Sequence, residues 1–507
     1  MTYFSCGSSS LLVRTYFIYM KKTISIIGSG FSSLSAACYL AKMGHQVSVF
    51  EKNEDFGGRA RQFKEDGFTF DMGPSWYWMP DVFEKFFNDF NKEAKDFYEL
   101  KKLNPAYHVY FGVQDFIAIP DSLEKICNVF EKEEKGSSKR LEKFISKAKE
   151  NYKIAVTEML YKMPGLSPLE LVSTDTVKRV GYFFTNIKKE VHKEFKNPKL
   201  RSILEFPVLF LGAESSNTPA FYNFMNYADF GLGTWQPTNG FYDVVSAMIS
   251  IAKSLGVNFH NNSNVTKIIT DNNIATGIEI NNKIISSDIV LSGADYNHTE
   301  KLLPKSLRQY SEKYWSSKVL APSSLLFYLG FDKKLKNVAH HNLFFDTDFD
   351  LHSKEIYKDP KWPSNPLFYA NFTSITNKHT APEGCENGFI LIPLSPGLED
   401  TELLREKYFN IVLDRLELIT EQEIKKNIIY KKSFCVSDFI KDYNSYKGNA
   451  YGLANTLMQT SFLRPKLKSK LVKNLYFTGQ LTVPGPGVPP AIVSGKLVSE
   501  LILKQLK

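Results

Sequence analysis

Cysteine is scarce in this chain: five residues among 507, at positions 6, 38, 127, 385 and 435, with no CxxC pair and no metal-ligand spacing. A disulfide framework and a zinc centre are therefore excluded as organising principles, and a reducing cytoplasm is the expected surrounding. Long hydrophobic runs are missing as well. The best of them, such as Phe206 to Ala213, falls far short of the roughly 20 apolar residues a bilayer-spanning helix needs, so any membrane association is expected to be peripheral. No internal repeat, no Ser/His/Asp constellation and no metal-binding cluster is visible, and the metal expectation is none. Residues 1–19 lack the basic start and cleavage site of a signal peptide, Arg14 being the sole basic side chain before Lys21. They are set apart as an extension, with Met20-Lys21-Lys22 read as the start of the folded part.

What is present is ordinary globular material. Apolar residues make up 43% and charged residues 23%, and the length suggests two or three domains of roughly 100–200 residues each. Aromatics are plentiful at 14%, with 40 Phe and 26 Tyr, which suits a large apolar cavity as well as a core. The net charge of +9 is concentrated in residues 131–200, which hold 16 Lys/Arg against 10 Asp/Glu. A solvated helix face accounts for such a stretch, a lipid-facing surface is the competing reading, and no nucleic-acid partner is expected.

The sharpest local pattern opens at Thr23. TISII reads as a buried parallel strand, followed at once by Gly28-Ser29-Gly30 and an Ala/Leu-rich helix over Leu34 to Lys42, with Gly44 where a C-cap glycine belongs. A second strand, Gln46 to Phe50, ends in Glu51. This is one βαβ unit of a doubly wound sheet with the glycine turn at its crossover. The turn matches GxGxxG except that Ser33 stands at the last glycine. Gly28 permits the tight turn, Gly30 admits a pyrophosphate, and Glu51, 21 residues past Gly30, accepts ribose hydroxyls while repelling a 2′-phosphate. Gly57-Gly58-Arg59 follows directly. Two glycines and an arginine there let the backbone approach the flavin side of a pyrophosphate, which favours FAD over NAD.

Beyond this unit the signals vary. Lys/Glu-rich segments from about 80 to 200 read as a helical insertion, and strand signals return at Val257–His260, Val265–Ile269, Ile274–Ile280 and Ile284–Ser292. After a mixed stretch come a strand over Asn474–Thr478, the turn Pro484-Gly485-Pro486-Gly487-Val488-Pro489-Pro490 and a helix from about Ala491. The expected fold is α/β, a Rossmann-like doubly wound FAD-binding domain that is discontinuous (20–80, 225–300 and 450–507). An inserted mixed α+β region (81–224 and 301–449) would bind substrate and associate with membrane.

Several stretches resemble one family. GSGFSSLSAACYL, FEKNEDFGGRARQF and FDMGPSWY near the start, GADYNHTEKLLP in the middle and NLYFTGQLTVPGPGVPPAIVSGK at the end are similar to the bacterial-type phytoene desaturases, a branch of the amine-oxidase-like flavoproteins. The resemblance covers nearly all of residues 22–507. It implies that Gly28, Gly30, Ser33 and Glu51 hold the adenosine diphosphate, that Gly58 and Arg59 lie at the pyrophosphate, and that Val265 touches adenine. Gly479 and Gln480 would sit by the ribityl and phosphate groups, with Gln480 departing from the acid common in the wider fold. The helix start at Val488 would face the flavin O2 end. The implied reaction is FAD-dependent desaturation of phytoene or a related C40 polyene, with quinone or oxygen as electron acceptor, on a chain peripherally attached to the cytoplasmic face of the inner membrane. A carotenoid or retinoid isomerase, saturase or ketolase is the first alternative and an amine oxidase the second. No catalytic base is assigned; His340 and His341, beside Phe344 and Phe345, read as structural.

Overall fold

The computed structural model describes residues 21–167, 170, 185–212 and 214–506. Its centre is a five-stranded parallel sheet in the order Leu475–Phe477, Ile289–Ser292, Thr23–Ile27, Gln46–Phe50, Asn258–His260. The strands come from both ends and the middle of the chain. Near-continuous burial from Ile24 to Ile27 is what a parallel strand covered on both faces demands, and it explains the unbroken apolar run. On one face lie helix Phe31–Lys42, buried from Phe31 to Cys38, and helix Val488–Leu506. On the other, the antiparallel strands Val265–Asp271, Ile274–Ile280 and Lys283–Ser286 form a separate sheet.

One expected strand proves to be two. Ile284–Ser292 breaks at Ser287-Asp288, where Asp288 Oδ2 accepts hydrogen bonds from the Thr23 N–H at 2.8 Å and its hydroxyl at 2.9 Å. The first half belongs to the antiparallel sheet and the second pairs with Thr23–Ile27. Asp288 thereby turns the chain from one sheet to the other.

The helix after the glycine turn packs tightly because glycine appears on the opposite side of each close contact. A Cβ on Gly293 would collide with the Ser33 hydroxyl, and one on Gly495 with Ser32 and Ser35. The side chain at position 33 is thus accommodated by the absence of one at 293.

A second unit is built on a seven-stranded mixed sheet ordered Ile428–Phe434, Ser323–Phe331, Glu386–Leu394, Phe368–Asn371, His341–Phe344, Tyr107–Gly112, Asp115–Ile119. The last two strands form a hairpin inside the stretch expected to be helical. The remainder of that stretch does contain helices, among them Ser137–Ile154, whose Leu141, Phe144, Ile145 and Ala148 are buried at helical spacing. Strand Ser323–Phe331 is buried at every position, yet its two faces do different things. Leu325, Phe327 and Leu329 pack with Val412, Leu413 and Leu416 of helix Glu402–Thr420, while Leu326 faces a large cavity between the two sheets.

The Ser33–Gly293 contact gives a test. G293A should lower the thermal unfolding midpoint, at a cost of ~1–3 kcal/mol for an overpacked site, and S33G in the same chain should restore most of it. Equal midpoints for wild type and G293A in a thermal melt would mean that the helix shifts freely.

Candidate functional site

The glycine turn sits at the C-terminal edge of the parallel sheet, where a doubly wound fold places its ligand. Gly28, with φ +85°, ends the first strand, and its N–H donates to Phe50 O at 2.8 Å. Helix Phe31–Lys42 starts at Gly30 with no side-chain cap, so its first N–H groups point at the cavity unsatisfied by any cap. Gly30 has open space where a Cβ would stand, whereas a Cβ on Gly58 would press on Gly30 Cα at 3.1 Å. Glycine at these two positions keeps the turn both compact and accessible.

A single hydroxyl ties the motifs together. Ser29 Oγ donates to Glu51 Oε2 at 2.7 Å and accepts the Gly57 N–H at 3.1 Å, while the Ser29 N–H also donates to Oε2 at 3.0 Å. Glu51 Oε1 accepts from the Asn53 N–H and side-chain amide, each at 3.0 Å. The carboxylate is therefore fixed by four donors of the chain itself, and a ribose hydroxyl would share one of its lone pairs. Ser29 and Asn53 were not singled out in the sequence. Their signal was position alone: one fills a variable place in the glycine motif and the other follows the acid by two residues.

Arg59 stands on the cavity wall. Its Nη2 donates to Ser445 Oγ at 3.2 Å and Asn449 O at 3.3 Å, its guanidinium covers the Tyr443 ring at 5.0 Å, and its Nε is enclosed without a partner. Burial lowers its pKa, partly offset by the charge of Asp295, and burial likewise raises that of Asp295. With its amide oxygen turned towards donors, Gln480 accepts from Arg59 Nη2 at 3.2 Å and from the Gly452 N–H at 3.3 Å. Gly479, at φ +106°, donates its N–H to Ser494 Oγ at 3.0 Å.

Nine of the ten residues expected at the cofactor line one cavity of about 560 Å³: Gly28, Gly30, Glu51, Gly58, Arg59, Val265, Gly479, Gln480 and Val488. Ser33 is not on its wall; its hydroxyl is buried beside Gly293 without a hydrogen bond. Beyond these residues the cavity turns aromatic, with Trp76, Trp78, Phe206, Tyr369 and Phe389 on its walls. Among the described residues, the acidic and basic side chains that line it are Glu51, Lys52, Arg59, Asp295 and Asp442, together with the imidazoles of His298 and His352. The three acids, Lys52 and Arg59 stand at the glycine-turn end: the Asp442 carboxylate pairs with Arg61, and the Asn53 side chain joins the Asp442 carbonyl to Glu51.

The two histidines lie behind this wall. His341 stacks on Trp76 at 4.1 Å and its Nδ1 hydrogen-bonds the Tyr369 hydroxyl at 2.7 Å. His340 Nδ1 meets Thr376 Oγ1 at 2.7 Å. Burial drives the pKa of His340 down to about 3 and that of His341 well below the ordinary range, so both are neutral supports for aromatic side chains.

A family model described as flavin containing amine oxidoreductase matches residues 31–503. The chain belongs to that family. Its cofactor is FAD, and the uncapped helix start, the open face of Gly30 and the buried Arg59 fit such a group. This flavoenzyme is 38% identical over 486 residues to a carotenoid 3,4-desaturase of Haloarcula japonica, covering 95% of this chain and 98% of that one. It is 30% identical over 502 residues to a 4,4′-diapophytoene desaturase of Staphylococcus haemolyticus, covering 96% and 99%. Solved structures share the fold. An oxidoreductase from Methanosarcina mazei superposes with a TM-score of 0.61 at 17% identity, covering 94% of this chain and all of that one. A fatty acid isomerase from P. acnes, producing CLA, does so with 0.57 at 14%, covering 95% and 98%.

Replacing the acid at the hub tests the site. E51K breaks the bonds from Ser29 and Asn53 and sets a cation where the ribose hydroxyls would donate. Retained FAD, read by absorbance after acid release, should fall about tenfold or more, equivalent to ~1.4 kcal/mol. Flavin content equal to wild type would remove Glu51 from the cofactor site.

Proposed function

We propose that this flavoenzyme desaturates a long polyene of the carotenoid class, phytoene or a more unsaturated relative. The observation that carries the reading is the separation of charge on the cavity wall: the acidic and basic residues stand at the glycine turn, and among the described residues no carboxylate lines the aromatic end, Glu214 behind Ser353 being paired with Lys358. A protonated polyamine would have to be desolvated there without a free counter-charge on the wall. A hydrocarbon chain gains by burial along the same walls. The similarity to desaturases of carotenoid and diapophytoene substrates supports the same choice.

On this reading, residues 20–80, 225–300 and 450–507 hold FAD, and 81–224 and 301–449 shape the substrate space. Gly28, Gly30 and Glu51 take the adenosine side, Gly58 and Arg59 the pyrophosphate, Val265 the adenine, and Gly479, Gln480 and Val488 the ribityl and flavin side. Ser33 acts there by setting the helix position. FAD when bound supplies the two-electron oxidation. The protein aligns the chain between rigid aromatic walls and keeps water from the reacting bond. Trp78 is held for that purpose: its indole N–H donates to Thr234 Oγ1 at 2.8 Å, Thr234 in turn donates to buried Asp229 at 3.4 Å, and Tyr107 fixes Asp229 from the other side at 2.7 Å. Quinone or oxygen is the proposed final electron acceptor.

The insoluble substrate points to a peripheral membrane enzyme on the cytoplasmic face of the inner membrane. No described helix is long and apolar enough to cross a membrane. Of the stretch 131–200, for which a lipid-facing surface is the competing reading, Tyr152 is buried and Met159, Leu160 and Met163 line the cavity. Lys188 pairs with Asp350 at 2.7 Å, and Leu169, Lys178, Arg179 and Tyr182 to Phe184 lie outside the described residues. The proposed lipid-facing edge keeps Leu166 of that stretch and adds Met458, 54% and 71% exposed. They stand where Lys466 Nζ joins Gly165 O, at 2.6 Å, to Phe462 O, at 2.7 Å.

Two measurements check these proposals. Liposomes containing phytoene, given the holoenzyme with a quinone or oxygen, should yield products of longer conjugation by chromatography with absorbance detection; no new conjugated product would reject phytoene as substrate. L166E/M458E should reduce flotation with anionic vesicles severalfold at unchanged FAD content, and unaltered flotation would place the lipid contact elsewhere.

A further inference from the structure

Behind the Gly/Pro-rich turn that leads into helix Val488–Leu506 lies a positive charge without a counter-ion. Arg464 is 2% exposed. Its Nη1 donates to Gln480 O at 3.2 Å, and its Nη2 donates to Leu453 O at 3.0 Å and to Asn455 Oδ1. All three acceptors are neutral, and its Nε is enclosed without a partner. Burial pushes its pKa down to about 10, with only the phenols of Tyr222 and Tyr314 acting the other way. It is a cation at neutral pH, and among the described residues no carboxylate pairs with it. Arg59, by contrast, has the charge of Asp295 close by. A buried cation left without a counter-charge is unfavourable unless something bound supplies one.

The charge reaches the cavity through Asn455, which forms part of its wall. A guanidinium has donors only, so the Asn455 oxygen must face Arg464 and its amide nitrogen must point elsewhere. Among the described residues nothing accepts from that nitrogen, and unlike Arg464 Nε it is not sealed inside the protein. It offers N–H donors on the cavity surface. The turn is built directly on this pair: a Cβ on Gly485 would stand 3.1 Å from Asn455 Oδ1 and 3.2 Å from Arg464 Cζ. Pro484, Pro486, Gly487 and Val488 of the same turn line the cavity with it. Neutral Gln480 lies between the two arginines, its backbone oxygen accepting from Arg464 and its side-chain oxygen from Arg59. It cancels neither charge.

A neutral donor backed by an uncancelled positive charge suits an acceptor that becomes negative. Dehydrogenation creates one. A C–H bond of the polyene gives its hydride, one proton and two electrons, to a neutral flavin ring, and the neighbouring C–H bond gives a proton to water as the double bond forms. One net negative charge is left on the ring. We propose that Asn455 donates to a carbonyl oxygen of the flavin ring and that Arg464 is its positioning residue, the pair together stabilising the reduced cofactor. The inference rests on the placement of the flavin beside Gly479, Gln480 and Val488 proposed above, and deepens it.

The reduction potential of bound FAD tests this without turnover, read by anaerobic equilibration of the FAD-loaded enzyme with a redox dye while flavin absorbance is followed. N455A removes the donor and should shift the reduction equilibrium about tenfold towards the oxidised form, ~30 mV for a two-electron couple. N455D sets a carboxylate against Arg464 and should shift it further. R464Q removes the charge and should lower the potential as well; should that variant fail to fold, the two changes at Asn455, made on the cavity wall, decide. V488D is the control for placement, since it brings a carboxylate to the flavin without touching the pair. Wild-type potentials in N455A and N455D, with that of V488D lowered, would overturn the proposal and leave the flavin where it is placed. Wild-type potentials in all three would sink the placement together with the proposal.

Discussion

The site depends on one hydroxyl, that of Ser29. It donates to Glu51 and receives from Gly57, so three segments that the chain brings separately to the edge of the parallel sheet are locked at one point. Glycine at 28, 30, 57 and 58 makes the close approach sterically possible, but flexibility alone would leave the turn without a defined shape. The hydrogen bonds supply that shape. A glycine motif described only by its glycines therefore omits the atom that holds it in place.

The same division between room and restraint recurs at larger scale. Where helix Phe31–Lys42 meets the end of a strand and a second helix, glycine at 293 and at 495 gives room to serines at 33, 32 and 35. In the second unit, strand Ser323–Phe331 has one face covered by a helix, while on the other Tyr328 and Gly330 pack against Phe63, Phe70 and Phe68. Only Ser324 and Leu326 of that face are left to the cavity. Apolar surface that in an ordinary core would be packed against protein is here held open by rigid aromatic side chains and by the sheet behind them.

Much of this was legible in the sequence. The TISII strand, the glycine turn, Glu51 and the Gly57-Gly58-Arg59 turn are local, with spacings set by one βαβ unit, and residue types alone suffice to read them. Three things were not. The break at Ser287-Asp288 is decided by Asp288 bonding to Thr23, 265 residues away, and an apolar run on each side looks like one strand. The Tyr107–Ile119 hairpin sits in a Lys/Glu-rich stretch and owes its place to pairing with His341–Phe344, a partner no window can contain. The enclosed Tyr357 hydroxyl was invisible for a further reason: a tyrosine is not unusual on a helix, and only the fold shows that its hydroxyl has no partner.

The parallel sheet also sets the order in which the protein can be completed. Its central strand, Thr23–Ile27, is flanked by strands from residues 46–50 and 289–292, and the sheet closes with Leu475–Phe477. The helix beside it is then covered by Val488–Leu506, with Ser35 donating to Ile492 O across 457 residues at 2.6 Å. A ribosome making roughly 5–20 residues per second leaves the first strand and helix uncovered for tens of seconds. During that interval their apolar faces are open to any neighbour, so the nascent chain depends on being shielded until its last helix emerges.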